Sequence, residues 1–113
     1  REDAAISFMA MPDAVTSVIQ LANAPRENLS RQIYNITAFS LSAEEFAGYV
    51  KKHFPDAEIT YAPDVNRQRI IDSWPIDMND DAARRDWGWK PEFDAEKAFS
   101  EYLVPNIRKR YEK

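Results

Sequence analysis

The chain has 113 residues and a mass of 13.1 kDa, a length that allows one hydrophobic core and excludes a second. Its net charge is −4 and its sequence pI is near 5.0, so no broad positive field exists and nucleic acid is not an expected partner. Hydrophobic residues make up 44% and charged residues of both signs 30%, a balance typical of a packed globule rather than a disordered segment.

The chain contains no cysteine, which excludes disulfides, thiolate metal sites and thiol nucleophiles. No apolar run approaches the ~20 residues of a membrane span and no signal peptide opens the sequence, so we expect no membrane partner and a cytoplasmic location. The sequence begins with Arg1 and leads directly into an apolar segment. We therefore expect the chain to be a fragment of a longer protein.

The first part of the chain predicts a strand followed by a helix. Residues 6–11 form a nearly continuous apolar run, typical of a short strand, and Pro12 then suits a first helical turn. Residues 12–24 carry apolar side chains at three- and four-residue spacing, which predicts a helix with one buried face. The members of that predicted face are Val15, Val18, Ile19 and Ala22.

A second strand, a helix and a third strand are predicted next. The isoleucines and tyrosine of residues 32–37 favour a strand. Ser42 and Glu45 form a capping box, in which each side chain bonds the backbone N–H of the other residue, so a helix begins there. The alternation of apolar and polar residues over 57–63 then predicts a third strand.

The remainder of the chain predicts a loop and two helices. No periodic pattern spans residues 64–78, so we predict a loop there, the kind of segment that most often carries function. A helix is expected from Asn79, which can cap it, to Gly88, which suits the left-handed residue after a last turn. A final helix begins with Asp94 as its cap and is interrupted at Pro105. This order predicts a small α/β fold whose neighbouring elements lie outside the chain.

Three familiar site patterns are incomplete. Asp77, Asn79 and Asp81 follow the first ligand positions of a calcium loop, but the glycine and the glutamate that such a loop needs are missing, so helix capping is favoured. The only histidine, His53, has no nucleophile or further ligand at suitable spacing and is expected near a helix end. The two glycines stand too far apart to form a nucleotide-phosphate loop. We therefore expect no metal and no cofactor for the chain by itself.

The stretch "RQRIIDSWP" is the strongest candidate for a binding site. Arg69, Ser73 and Trp74 supply a guanidinium, a hydroxyl and a large ring that could converge on a small polar ligand. The alternative is a salt bridge between Arg69 and Asp72 beside a core tryptophan. The spacing does not decide between these two interpretations.

The stretch "RDWGWKP" holds two of the three tryptophans, one on each side of Gly88. The glycine predicts a helix end, Trp89 can fold back on the last turn, and Pro91 prevents the helix from continuing. Both tryptophans are therefore expected in the core rather than at a ligand.

Four stretches occur in an order that resembles one enzyme family. They are "FMAMPDAVTSVIQLANAP", "YNITAFSLSAEEF", "RQRIIDSWP" and "DDAARRDWGWKPEFD". Together they resemble the C-terminal region of the extended short-chain dehydrogenase/reductase family, the NAD-dependent epimerase/dehydratase proteins. Trp87, where epimerases usually carry leucine, and the "DSWP" stretch are similar to the epimerase-like L-threonine 3-dehydrogenases.

The resemblance implies a fold and a reaction. Residues 1–113 would form a single C-terminal substrate-binding lobe, with short strands and about four helices, of an extended Rossmann-type enzyme. The complete enzyme would oxidise the 3-hydroxyl of L-threonine and pass hydride to NAD, giving 2-amino-3-oxobutanoate. The family's glycine-rich NAD loop and its Tyr-x-x-x-Lys catalytic pair do not occur in this chain. We therefore expect no catalysis by the chain alone, and no catalytic or cofactor-binding residue in it.

By the same resemblance, Trp74 lines the threonine pocket and excludes water from it, with Ser73 beside it. Arg69 stands where epimerases hold a nucleotide-sugar phosphate with arginine. A threonine enzyme has no phosphate to hold, which favours a structural role for Arg69. Ala10 and Pro12 depart from the family, which usually carries a large residue and often an acid at these positions, and the changes would alter the pocket wall.

Two other hypotheses stay open. The chain could be the C-terminal part of a nucleotide-sugar epimerase/dehydratase, against which "DSWP" and the lack of glycine in "YNITAFSLS" argue. It could also be an independent small α/β binding module, against which the missing initiator methionine and the lone first strand argue. L-threonine is the expected small-molecule partner, and self-association is expected if an apolar face is exposed in the separated segment.

Overall fold

The computed structural model of the chain describes residues 1–112. Two strands pair in an antiparallel sheet, β1 (Ala5–Phe8) and β2 (Phe39–Ser42), with Ala5 opposite Ser42 and Phe8 opposite Phe39. The α-helices before the C-terminal helix are α1 (Met11–Asn23), α2 (Ala43–His53), α3 (Val65–Asp72) and α4 (Asp81–Trp87), and a short 3-10 helix, Arg26–Asn28, follows α1. The C-terminal helix consists of α5 (Ala95–Lys97), a π-helical segment (Ala98–Leu103) and α6 (Val104–Tyr111). The small α/β architecture predicted from the sequence is confirmed.

The strands predicted over residues 32–37 and 57–63 were wrong, because both segments are irregular. A strand is stabilised by ladder hydrogen bonds to a neighbour. Within residues 1–112 the one ladder joins β1 to β2, so these two segments have no partner there. Strand-forming side chains without a neighbouring strand do not produce a strand.

The loop predicted over residues 64–78 was also partly wrong, because it contains α3. Asp64 caps this helix: its Oδ1 accepts from the backbone N–H groups of Asn66 and Arg67, both at 3.0 Å. Val65 and Ile70 in this helix are more than half exposed. The helix therefore has no buried face. Its sequence also lacks the apolar residues at helical spacing from which a helix could have been predicted.

The capping box predicted at the start of α2 is confirmed. The Ser42 Oγ accepts from the Glu45 backbone N–H at 3.1 Å, and the Ser42 backbone N–H donates to a Glu45 carboxylate oxygen at 2.8 Å. This reciprocal pair satisfies two N–H groups that would otherwise lack partners at the end of the helix.

The turn after α4 forms part of the core. Gly88 has a φ of 71°, and the next residue, Trp89, donates its backbone N–H to the Ala83 carbonyl at 3.3 Å, so the helix ends as predicted. Trp89 is 1% exposed, and its indole N–H donates to the Thr37 carbonyl at 3.3 Å. The Trp87 ring lies 6.0 Å from the Trp89 ring and is half-buried. The two tryptophans therefore act as packing residues.

The C-terminal helix is capped by Asp94, which accepts from the Lys97 backbone N–H at 2.8 Å. Before Pro105 the helix widens into the π-helical segment Ala98–Leu103. Proline cannot donate a backbone hydrogen bond and crowds the carbonyl four residues earlier, and a π turn relieves both problems without ending the helix. On the inner face Phe99 is 3% exposed and packs edge-on against Phe46 at 4.9 Å.

The buried face predicted for α1 was wrong. Val15, Val18 and Ile19 are 54%, 68% and 55% exposed. The buried side chains of this helix are instead polar, Asp13 and Ser17, each 3% exposed. The apolar stripe has the predicted helical spacing, but it lies on the outside of the described residues.

A carboxylate docks α1 against the following part of the fold. The two Asp13 oxygens accept from the backbone N–H groups of Glu92 and Phe93, both at 2.9 Å. Ala10, which departs from the resembled family, is 6% exposed and precedes the first turn of this helix. The helix is therefore held by its N-terminal end and by its polar side.

The described residues form a thin slab of 52 × 38 × 18 Å. Their radius of gyration is 16.8 Å, whereas a compact domain of this size has about 13 Å. The extended shape explains how the apolar face of α1 stays on the surface.

Candidate functional site

The three residues predicted to bind a ligand lie together at the C-terminal end of α3. Arg69 is exposed in its last turn, and the Ser73 hydroxyl donates to the Ile70 carbonyl at 2.6 Å. Trp74 follows directly and is 51% exposed, with its backbone N–H bonded to the Ile71 carbonyl at 3.0 Å. The indole is thus presented at the surface rather than packed in the core, which contradicts the core-tryptophan alternative for this stretch.

The predicted salt bridge between Arg69 and Asp72 is not formed. The Asp72 Oδ1 accepts from the Gln68 amide at 2.7 Å and from the Arg1 guanidinium at 3.5 Å. Gln68 stands four residues before Asp72 on the helix, where side chains meet on one face, and it takes the position that Arg69 was expected to fill.

Asp77 gathers a group of hydroxyls that the sequence did not reveal. Its Oδ1 accepts from the Met78 backbone N–H at 2.9 Å and from the hydroxyls of Ser40, Thr37 and Ser7 at 3.1, 3.3 and 3.4 Å. The backbone N–H of Met78 and the hydroxyl of Ser40 hold the pKa of Asp77 below its ordinary value. Because the three hydroxyl residues lie 37 to 70 positions away, no local pattern could have identified them.

The residues that resemble a calcium loop have other roles. The Asn79 side chain accepts from the Asp81 backbone N–H at 2.9 Å. The N-cap of α4 is Asp80 rather than the predicted Asn79, which lies one residue earlier. Asp80 is buried and accepts from the Arg84 guanidinium at 2.8 Å. In the part of the chain that the structure describes, no three His, Cys, Asp or Glu side chains are grouped to hold a metal.

A second carboxylate cluster fastens the loop after α1 to α4. Asp86 Oδ2 accepts from the backbone N–H and the hydroxyl of Ser30 and from the Tyr34 hydroxyl at 2.7 Å. The Ser30 hydroxyl and then the Tyr34 hydroxyl hold the pKa of Asp86 well below its ordinary value. The Tyr34 ring meets the Trp87 ring edge-on at 6.0 Å. This cluster closes onto itself and has a structural role.

A cleft of about 520 Å³ lies beside the same loop. It is lined by Leu21, Arg26, Leu29, Ser30, Arg31, Gln32 and Tyr34. Trp74 does not line it, so the cleft and the candidate segment at the end of α3 are separate places on the molecule.

The residues of this chain do not fit a dinucleotide. Gly48 lies inside α2 and Gly88 ends α4, and neither belongs to a glycine-rich turn that would let a backbone approach phosphates. Tyr34, Tyr49, Tyr61 and Tyr102 are each followed four positions later by a residue other than lysine. Residues 1–113 therefore contain neither the glycine-rich phosphate loop nor a Tyr-x-x-x-Lys pair.

No protein-family model matches the chain. A curated relative, "L-threonine 3-dehydrogenase, mitochondrial" of Bos taurus, is 43% identical over 94 residues, which are 83% of this chain and 25% of the relative. An uncharacterized epimerase/dehydratase of Staphylococcus haemolyticus is 34% identical over 94 residues, 82% of this chain and 30% of the relative.

Two solved structures have nearly the same fold as the chain. The L-threonine dehydrogenase of Phytophthora infestans superposes with a TM-score of 0.89 at 38% identity, over 96% of this chain and 35% of that one. The GalE-like L-threonine dehydrogenase of Cupriavidus necator in its holo form gives 0.87 at 36% identity, over 94% of this chain and 34% of that one.

The chain thus spans about a quarter of the bovine relative and about a third of these structural neighbours. The resemblance seen in the four sequence stretches is confirmed. The homologues of this chain are L-threonine 3-dehydrogenases and epimerase/dehydratase proteins, and the chain has the sequence and fold of about one third of such a protein.

Proposed function

We propose that this chain is the substrate-binding part of an NAD-dependent L-threonine 3-dehydrogenase. The observation that carries the proposal is the match of nearly the whole chain, at 38% identity and a TM-score of 0.89, to a solved L-threonine dehydrogenase. That oxidation removes a hydride from C3 and a proton from the 3-hydroxyl of L-threonine, and NAD supplies the hydride acceptor. Because the residues of this chain do not fit the cofactor, we assign it substrate binding and no step of hydride transfer.

Trp74 is the residue that we assign to the threonine pocket. Trp74 leaves 51% of its surface exposed. Covering that surface with a ligand and a second protein surface lowers the free energy of the complex. Pro75 restricts the backbone of Trp74 to extended conformations, so the ring projects from a stiff segment. In the pocket the indole would exclude water and hold the small substrate in one orientation.

Two neighbours complete the proposed contact surface. The Ser73 hydroxyl uses its proton on the Ile70 carbonyl, so its oxygen remains able to accept from a ligand N–H or O–H. The exposed Arg69 guanidinium suits the carboxylate of an amino acid, with which it can form two parallel hydrogen bonds.

The test is substitution of Trp74 in the complete enzyme that contains this segment. We expect Trp74→Ala to raise the KM for L-threonine or lower kcat/KM by about tenfold or more, with NAD affinity nearly unchanged, as for a lost substrate contact. Tyr111→Ala is the matched control, since Tyr111 is a 74% exposed aromatic residue on α6. An unchanged kcat/KM in Trp74→Ala would contradict the assignment of the indole to the threonine pocket.

A second candidate function is that of a nucleotide-sugar epimerase/dehydratase, which the Staphylococcus haemolyticus relative at 34% identity favours. Assaying the complete enzyme with L-threonine and with nucleotide sugars separates the two candidates.

An independent binding module is the third hypothesis. A start codon directly before Arg1, preceded by a stop codon, would support that module, whereas an upstream reading frame with a glycine-rich loop and Tyr-x-x-x-Lys would support the dehydrogenase.

No helix in residues 1–112 is both long enough and apolar enough to cross a membrane. We propose a cytoplasmic location on the basis of the cysteine-free composition. The bovine relative carries "mitochondrial" in its name. Fractionation of the source cells distinguishes the two locations.

A further inference from the structure

The segment that follows Trp74 makes few hydrogen bonds to the rest of the molecule. It connects α3 to α4 through residues 75–78. Among the described residues, the hydrogen bonds from this segment to other elements all involve one of three hydroxyls, those of Ser7, Thr37 and Ser40. One of these bonds reaches the Ile76 carbonyl and the others reach Asp77.

A count of protons identifies Asp77 as the centre of this attachment. Each hydroxyl has a single proton to donate. Ser7 lies within reach of the Ile76 carbonyl at 3.3 Å, the Asp77 carboxylate at 3.4 Å and the Ser40 hydroxyl at 3.3 Å, so it can serve one of these acceptors at a time. The Asp77 Oδ1 is the acceptor common to all three hydroxyls, and an ionised acceptor makes the stronger bonds.

The hydroxyls that bind Asp77 belong to the sheet and to a buried threonine. Ser7 and Ser40 face each other across the β1–β2 ladder. Thr37 is 8% exposed, and its carbonyl accepts from the indole of the buried Trp89. The Asp77 carboxylate therefore connects residues 75–78 both to the β1–β2 sheet and to Thr37, which is bonded to the buried Trp89.

We propose that Asp77 is a positioning residue for Trp74. The carboxylate holds the segment after Trp74 against the β1–β2 sheet, and the stiff Trp74–Pro75 step passes that constraint to the indole. Asp77 is only three positions after Trp74, so an anchor at Asp77 limits where the ring can lie. The consequence for catalysis rests on the proposed function, while the position of the ring can be measured independently of it.

The experiment is ¹⁹F NMR of the chain labelled with 5-fluorotryptophan. Its three tryptophans give three resonances, which single Trp→Phe variants assign. Asp77→Ala is expected to shift or broaden the Trp74 resonance and to leave that of Trp89 in place. Asp77→Asn keeps an acceptor oxygen and is expected to restore a resonance close to that of the wild type.

Two further variants sharpen the test. Ser40→Ala removes one donor to Asp77 and is expected to move the Trp74 resonance in the same direction as Asp77→Ala, by less. Glu58→Ala removes an exposed carboxylate from an irregular segment and is expected to change none of the three resonances. An unmoved Trp74 resonance in Asp77→Ala would overturn the proposal, as would an equal change in all three resonances, which indicates general loss of structure.

Kinetics of the complete enzyme then separate this proposal from the assigned function. Asp77→Ala is expected to raise the KM for L-threonine by about tenfold, because a misplaced positioning group is costly even when it makes no bond to substrate. Asp77→Asn is expected to recover most of that loss. A shifted Trp74 resonance in an enzyme that does not oxidise L-threonine would refute the assigned function and leave the positioning role standing.

Discussion

Asp86 is a carboxylate whose ionised form holds two parts of the chain together. Its side chain is 6% exposed and accepts hydrogen bonds from Ser30 and Tyr34, 56 and 52 positions earlier. The pKa of Asp86 lies well below its ordinary value because the bound hydroxyls stabilise the charged form. Protonation therefore weakens the attachment of the loop.

The sign of the resulting pH dependence follows from linkage. An unfolded aspartate has a pKa of about 3.9, above that of folded Asp86, so the unfolded state binds more protons as the pH falls. The stabilising contribution is complete above about pH 5 and is lost as the pH falls toward the folded-state pKa. We expect the free energy of unfolding, from urea titrations at a series of pH values, to fall less steeply in acid for Asp86→Asn than for the wild type.

The control for this prediction is Asp56→Asn, which changes an exposed carboxylate outside the cluster. It is expected to keep the wild-type pH profile. Equal acid slopes for Asp86→Asn and the wild type would contradict the assignment of the pH dependence to Asp86.

The most local elements were predicted best. Ser42, Asp94 and Gly88 mark the ends of helices as expected, because a cap depends on side chains three residues apart or on the φ of one residue. The α3 helix was missed although Asp64 caps it, since its exposed apolar residues carry no core-facing period. Local chemistry thus determines where a helix starts or ends, and apolar residues at helical spacing are what make the rest of it recognisable in the sequence, whether or not they are buried.

Substituting each of the two glycines by alanine is expected to change the stability of the fold in opposite directions. Gly88 holds a φ of 71°, so Gly88→Ala is expected to lower the free energy of unfolding by about 1–2 kcal/mol. Gly48 lies inside α2 with open space around its Cα, so Gly48→Ala is expected to raise it by about 0.5–1 kcal/mol. Urea unfolding followed by circular dichroism measures both changes. A neutral Gly88→Ala would show that the left-handed turn does not limit stability.

The whole molecule is a slab with an apolar helix face on its surface, a shape that suits a segment covered by further structure. Val18 is 68% exposed in the middle of that face, between Val15 and Ile19. The apolar residues of this face have the spacing typical of a buried helix face. Within the described residues, however, nothing packs on them and buries them. This is where the prediction of one buried helix face failed.

The exposed face leads to a prediction for the chain studied alone. We expect it to self-associate, so that its weight-average mass in sedimentation equilibrium rises with concentration, because apolar surface is removed from water on association. Val18→Lys is expected to shift the chain toward the monomer. Ile33→Lys, at an 82% exposed isoleucine that is not part of the α1 face, is the matched control and is expected to leave the association unchanged. A wild-type chain that stays monomeric would contradict the prediction.

Helix ends, the order of the four family stretches and the position of Trp74 in "DSWP" were determined by the sequence alone, because each depends on residues close together in the chain. The tertiary structure decided which side of α1 is buried, which strands find a partner, and that Asp77 collects hydroxyls 37 to 70 positions away. These features depend on elements brought together by folding, and propensity and periodicity describe one element at a time.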